Sequence, residues 1–171
     1  MSVDERMVHD IVQKVMANMQ ISGSVSGMHG VFKDMNDAIN ASIEAQKKVC
    51  TMTLDQREQI ISLIRKKTHE NAEILANMGV NETGMGNVGD KILKHHLTAD
   101  KVPGTEDIST IAWSGDRGLT LVEMGPFGVI GAITPATNPS ETVICNCIGM
   151  LAGGNTVVFN PHPNAKKTTI Y

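Results

Sequence analysis

The sequence predicts an α/β protein in which N-terminal helices pack on the beginning of a parallel sheet. Three observations carry this expectation. Residues 129–134 and 156–159 are apolar runs of strand length. Between them, residues 139–152 read as a helix, with Asn138 at the N-cap, Pro139 at the first helical position, and Gly153 and Gly154 as the stop. Upstream, long stretches are amphipathic at helical spacing. A strand–helix–strand unit of this kind calls for parallel strands and a right-handed crossover.

The first helix spans residues 2–19. Val8, Ile11, Val12, Val15, Met16 and Met19 form its apolar stripe, and Asp4, Glu5, Arg6, Asp10 and Lys14 occupy much of the rest. A Gly/Ser-rich tether follows, which divides the chain into a helix at 1–20, a flexible linker at 21–30 and a body at 31–171. Pattern alone leaves two readings of the helix open: a terminal or oligomer contact, or a docking helix for a partner's groove. Residues 31–49 form the next helix, with Phe32, Met35, Ile39, Ile43 and Val49 on one stripe. Thr53 then opens a longer helix with Gln56 at capping-box spacing, Leu54, Ile61, Ile64, Leu75 and Met78 on its apolar face, and Gly79 at its end. These two helices are expected to pack as an antiparallel pair, with the charged run 65–70 as a solvated face.

Gly84, Gly86 and Gly89 spell G-x-G-x-x-G, but a helix and a polar turn precede them where a phosphate loop needs a strand. The segment therefore reads as a helix break, with residues 90–97 helical after it. His95 and His96 point about 100° apart on such a helix, which favours surface histidines over metal ligands. Residues 99–124 form a polar connector with a strand at 119–123 and Trp113 as a packing residue.

Composition narrows the function classes. A net charge of −3 offers no basic stripe for nucleic acid. No apolar run approaches the roughly 20 residues of a membrane span, and the N-terminus lacks the core of a secretory signal. Three cysteines, an odd number, fit a reducing compartment, and the expected location is cytoplasmic.

The loop 134–139 lies at the carboxyl end of a strand and the amino end of a helix, the edge where open parallel sheets bind ligands. Thr134, Thr137 and Asn138 supply polar groups beside the free N–H donors of the helix start. Asn138 is either an oxyanion donor or a plain N-cap. Residues 160–163 open on the same edge, where His162 either touches a ligand or holds the turn. Cys145 and Cys147 fall among apolar helix residues and Cys50 has no base beside it, so spacing selects no nucleophile. No metal-ligand spacing is present.

Residues 125–139 (GPFGVIGAITPATNP), 151–167 (LAGGNTVVFNPHPNAKK) and 81–91 (NETGMGNVGDK) resemble the aldehyde dehydrogenase superfamily. The likeness is to its CoA-acylating branch, the propionaldehyde and acetaldehyde dehydrogenases of bacterial microcompartments, and covers residues 29–171. It implies a Rossmann-like NAD-binding domain, incomplete here, with NAD as cofactor and coenzyme A as co-substrate. The complete enzyme would be a homo-oligomer in which a cysteine thiolate takes a short-chain aldehyde as a thiohemiacetal. Hydride then passes to NAD and the acyl group to CoA. By the same resemblance, Thr134 and Pro135 lie along the nicotinamide cofactor. Ungapped alignment places the oxyanion asparagine of ordinary family members on Thr137, whereas Asn138 matches the asparagine of this branch's TNP. Asn160 stands where ordinary members have a lysine reaching the adenosine ribose, and His162 and Pro163 border the adenine end. The helix at 2–19 resembles an encapsulation peptide that binds a microcompartment shell protein. Family members are much longer, so the catalytic cysteine, second cofactor loop and oligomerisation strands are expected beyond residue 171, leaving this chain inactive alone. The alternative is a non-catalytic truncated protein whose N-terminal helix binds a shell or scaffold.

Overall fold

A computed structural model of the protein describes residues 29–171; the helix expected at 2–19 lies outside them. Of the N-terminal unit only residues 29–33 are described, with a turn at His29 and Gly30. The second unit runs from Asp34 to Tyr171.

Helix α1 spans Met35–Val49. Asp34 caps it, accepting from the Asn36 amide at 2.8 Å. Of the expected stripe only Val49 is buried; Met35, Ile39 and Ile43 are exposed, and Ser42 is buried in their place. The reason is what α1 packs on: it lies against the sheet rather than the next helix, and its small and amide side chains bond there. Ser42 Oγ donates to Thr156 Oγ1 at 2.9 Å. Gln46 donates to the Gly154 carbonyl at 2.9 Å and accepts from the Thr156 amide at 2.7 Å.

Helix α2, Leu54–Thr83, begins with the predicted capping box: Gln56 N–H to Thr53 Oγ1 at 3.2 Å, and Thr53 N–H to Gln56 Oε1 at 3.0 Å. It does not stop at Gly79, which is buried inside it. A Cβ there would meet Lys91 and Thr168 at 3.8 Å, ordinary van der Waals contact, so this position requires no glycine. The stop is Gly84, in the left-handed region at φ 68°. Asn87 then caps α3, Val88–Lys101, accepting from the Asp90 amide at 2.8 Å. The glycine-rich segment is thus a break between two helices.

The antiparallel partner of α2 is α3, not α1. Arg65, within the supposedly solvated run, donates to the Ala99 and Val102 carbonyls and pairs with Glu106 at 3.2 Å. His69 and His96 stack with their Nδ1 atoms 2.7 Å apart, and His69 Nε2 donates to Asp100 at 2.8 Å. His95, expected at the surface, is fully buried.

A short 3-10 turn at Thr105–Asp107 leads to a two-stranded antiparallel ribbon, β1 (Ile111–Gly115) and β2 (Gly118–Val122). Every residue of both strands is exposed, including Trp113 at 58%. Trp113 is therefore not a packing residue within this unit, because nothing described covers the ribbon.

The crossover unit forms as the residues predict. Strands β3 (Val129–Ile133) and β4 (Thr156–Asn160) pair in parallel, with Val129 opposite Thr156 and Ile133 opposite Asn160. Helix α4, Pro139–Ala152, joins them. Ile61 and Leu75 of α2 close the core with Ile144, Ile148 and Ala152 of α4. Arg57 of α2 donates to the Ala152 carbonyl at 2.6 Å, where the helix dipole favours a cation. Asn155 ties the end of α4 to the start of β3, accepting from Phe127 and Gly128 amides at 2.6 and 3.0 Å. A turn at Pro163–Ala165 and helix α5, Lys166–Ile170, end the described structure. No described helix is long and apolar enough to cross a membrane.

Candidate functional site

The register of β3 and β4 fixes where the candidate residues meet. Ile133 lies opposite Asn160, and the Thr134 amide donates to the Asn160 carbonyl at 3.1 Å. The loop 134–139 and the segment 160–163 therefore leave the same carboxyl edge side by side. At this edge Pro135, Thr137, Asn160 and Pro163 are exposed and Asn138 and His162 are half-buried. Thr134 is buried, and its hydroxyl has no hydrogen-bond partner among the described residues. Ile133, 84% exposed, adds an apolar surface beside them.

Geometry bears on both His162 and Asn138. His162 holds its turn, since Nδ1 accepts from the Asn164 amide at 3.1 Å. Asn138 occupies the N-cap position but its side chain makes no capping bond. Its Oδ1 lies instead 3.4 Å from the Lys94 ammonium.

Four residues that the sequence reading did not offer as site candidates hold this loop from below: Lys91, His95, Ser140 and Glu141. Lys91 is 3% exposed; its ammonium donates to the Thr137 carbonyl at 2.9 Å and pairs with Glu141 at 3.3 Å. His95 lies one turn on. Its Nδ1 faces the Lys91 carbonyl at 2.7 Å, an acceptor only, which assigns the proton to Nδ1. Nε2 then accepts from the Ser140 hydroxyl at 2.8 Å, a shorter contact than the 3.3 Å from Ser140 to Glu141. A buried ion pair of this kind is expensive to break, at about 3–5 kcal/mol for loss of one partner. The sequence signal was present in the i, i+4 spacing of Lys91 and His95 and in Ser140–Glu141. Reading it requires knowing that two helices 45 residues apart meet.

The thiols stand elsewhere. Burial pushes the Cys147 thiol up to about 11, and burial also raises Cys145. Cys50 follows α1, its sulfur accepting from Gln46 at 3.2 Å, and Gln46 binds the amino end of β4. None of the three reaches the carboxyl edge.

Exposed Ile133, Pro135 and Pro163 give this edge an apolar surface, and exposed Asn160 adds an amide with both donors and an acceptor. A parallel crossover with its ligand edge at the strand carboxyl ends defines a Rossmann-like cofactor-binding unit, present here in part. Comparison with known proteins gives the particular family. The aldehyde dehydrogenase family profile matches residues 14–171, and the chain belongs to that family. It is 47% identical over 174 residues to an acetaldehyde dehydrogenase (acetylating) of Bilophila wadsworthia, covering 96% of this chain and 36% of that one. Among solved structures it is similar to a propionaldehyde dehydrogenase from the Clostridium phytofermentans fucose utilisation bacterial microcompartment. Identity there is 77%, with a TM-score of 0.79 and coverage of 82% of this chain and 32% of that one. A Rhodopseudomonas palustris propionaldehyde dehydrogenase with bound propionyl-CoA is 46% identical, with a TM-score of 0.79 over 88% of this chain and 35% of that one. The chain thus spans about a third of the length of these relatives.

Proposed function

We propose that this chain is the N-terminal third of a CoA-acylating aldehyde dehydrogenase that converts a short-chain aldehyde, CoA and NAD to acyl-CoA and NADH. The observation that carries the reading is the pairing of Ile133 with Asn160, which brings the loop 134–139 and the segment 160–163 to one edge. Thr134 and Pro135 line the nicotinamide side through their backbone. Asn160, His162 and Pro163 border the adenosine, and an uncharged Asn160 suits an edge visited by both NAD and CoA. Asn138 donates to the carbonyl oxygen of the substrate through its amide N–H groups, which make no hydrogen bond among the described residues while its Oδ1 faces Lys94. NAD, when bound, supplies the hydride acceptor.

The thiols of this chain are away from the edge, so the nucleophile belongs to the remaining two-thirds of the enzyme. The 171-residue chain is expected to form no NADH from propionaldehyde, CoA and NAD, followed at 340 nm, whereas the complete enzyme requires all three. Turnover by the 171-residue chain, or turnover by the complete enzyme without CoA, overturns the reading.

We propose that residues 1–20 act as a targeting segment, 21–30 as its tether and 31–171 as the N-terminal part of the cofactor-binding domain, a division supported by the amphipathic sequence pattern and by likeness to a microcompartment enzyme. A reporter carrying residues 1–20 should co-purify with microcompartment shells and lose this when the helix is deleted; retention after deletion sinks the docking role. The ribbon β1–β2 supports assembly into homo-oligomers, since both its faces carry apolar residues with nothing described to cover them.

A further inference from the structure

One face of α3 grips the first turn of α4 at successive positions. Lys91, Lys94 and His95 share that face by their i, i+3 and i+4 spacing. They reach the Thr137 carbonyl at 2.9 Å, Asn138 Oδ1 at 3.4 Å and the Ser140 hydroxyl at 2.8 Å respectively. Lys91 and His95 are buried and fix the separation of the two helices at this point, with Glu141 closing the Lys91 charge. Lys94 differs from both. It is exposed, and its partner is the N-cap side chain, which makes no capping bond.

An ammonium has only donors, so the Asn138 atom facing it must be the amide oxygen. The NH2 group of a planar amide lies on the other branch of the same carbon, directed away from Lys94. Its two N–H groups remain unspent among the described residues. The cation beyond the oxygen also polarises the amide, strengthening those N–H groups as donors.

We propose that Lys94 is a positioning residue for the aldehyde chemistry: it holds and polarises the Asn138 amide so that its N–H groups meet the oxyanion developing on the substrate carbonyl. This rests on the oxyanion role given to Asn138 above. Lys94 touches no substrate atom. Lys91 and His95 keep its distance to Asn138 constant.

The test uses the complete enzyme, with NADH formation from propionaldehyde, CoA and NAD as readout. Asn138→Ala should lower kcat by about 10² to 10³, the usual effect of losing one oxyanion donor. Lys94→Met, at an exposed position, should leave the melting temperature and the KM values for NAD and CoA unchanged while lowering kcat about tenfold. Lys94→Arg should restore most of it. Adding Lys94→Met to Asn138→Ala should cost nothing further, because the residue being positioned is gone. If Asn138→Ala lowers kcat and Lys94→Met does not, the positioning role is wrong and the oxyanion reading stands. If Asn138→Ala leaves kcat intact, the oxyanion reading itself falls. Multiplying effects in the double variant would mean that Lys94 acts independently of Asn138, which also overturns the proposal.

Discussion

Thr134 shows how a single buried atom constrains this edge. Its amide serves the sheet, bonded to Asn160, but its hydroxyl is buried with no partner among the described residues. Leaving a hydroxyl unsatisfied costs about 1–3 kcal/mol. Thr134→Val should therefore keep or raise the melting temperature in thermal unfolding, and a loss of several degrees would show that the hydroxyl is satisfied in solution. If only the Thr134 backbone lies along the cofactor, the same change should spare cofactor affinity in the complete enzyme. Single residues were also where the sequence was least legible. His95 and His96 are neighbours of one type, yet one is buried against Ser140 and the other stacks on His69. Their partners lie 45 and 27 residues away, beyond any local pattern. Asn138 reads as an N-cap because its position is one, and only the Lys94 contact shows its side chain to be otherwise engaged.

At the scale of elements, the extent of α4 was legible residue for residue, since Pro139 and the Gly153–Gly154 pair mark its ends chemically. The end of α2 was not, because a glycine inside a helix, as Gly79 is, looks the same in sequence as a stop. The partner of α1 was missed for a related reason: Met35, Ile39 and Ile43 of its apolar stripe face outward, and Ser42 and Gln46 make the contacts. Helix α5 hangs on one carboxylate. Glu82 accepts from the Lys167 and Thr168 amides at 2.8 and 2.7 Å and from the Thr168 hydroxyl at 2.7 Å. Burial pushes its carboxyl up, but these hydrogen bonds and the Lys167 charge outweigh it and hold the group below the usual carboxylate range. A lowered folded value stabilises the ionised form, so the contribution is complete above the unfolded carboxylate value of about 4.3 and is lost as pH falls through the lowered one. Amide exchange at Lys167 and Thr168 should accelerate, beyond the intrinsic pH trend, only below about pH 4. Glu82→Gln should loosen α5 at neutral pH and remove that acid step; unchanged protection in the variant would rule the tether out.

For the whole molecule, the α/β class and the parallel crossover were legible from periodicity, whereas the ribbon was half seen, as one strand with Trp113 taken for packing. An isolated two-stranded ribbon is marginal in water, so Ile111, Trp113, Leu119 and Leu121 need cover from outside the unit. The chain should self-associate at micromolar concentration, and Trp113→Arg should shift it toward smaller species by light scattering. A wild-type chain that stays monomeric there would remove the ribbon from the assembly. The bonds of α1 to Gly154 and Thr156 bridge 108 to 114 residues. During synthesis at about 5–20 residues per second, α1 leaves the ribosome roughly 5–20 s before β4 exists. Through that interval its Ser42–Gln46 face has no native partner and its Met35–Ile43 face is apolar. The nascent helix is thus open to chaperones, and slowing translation between the two segments should lengthen that exposure in direct proportion.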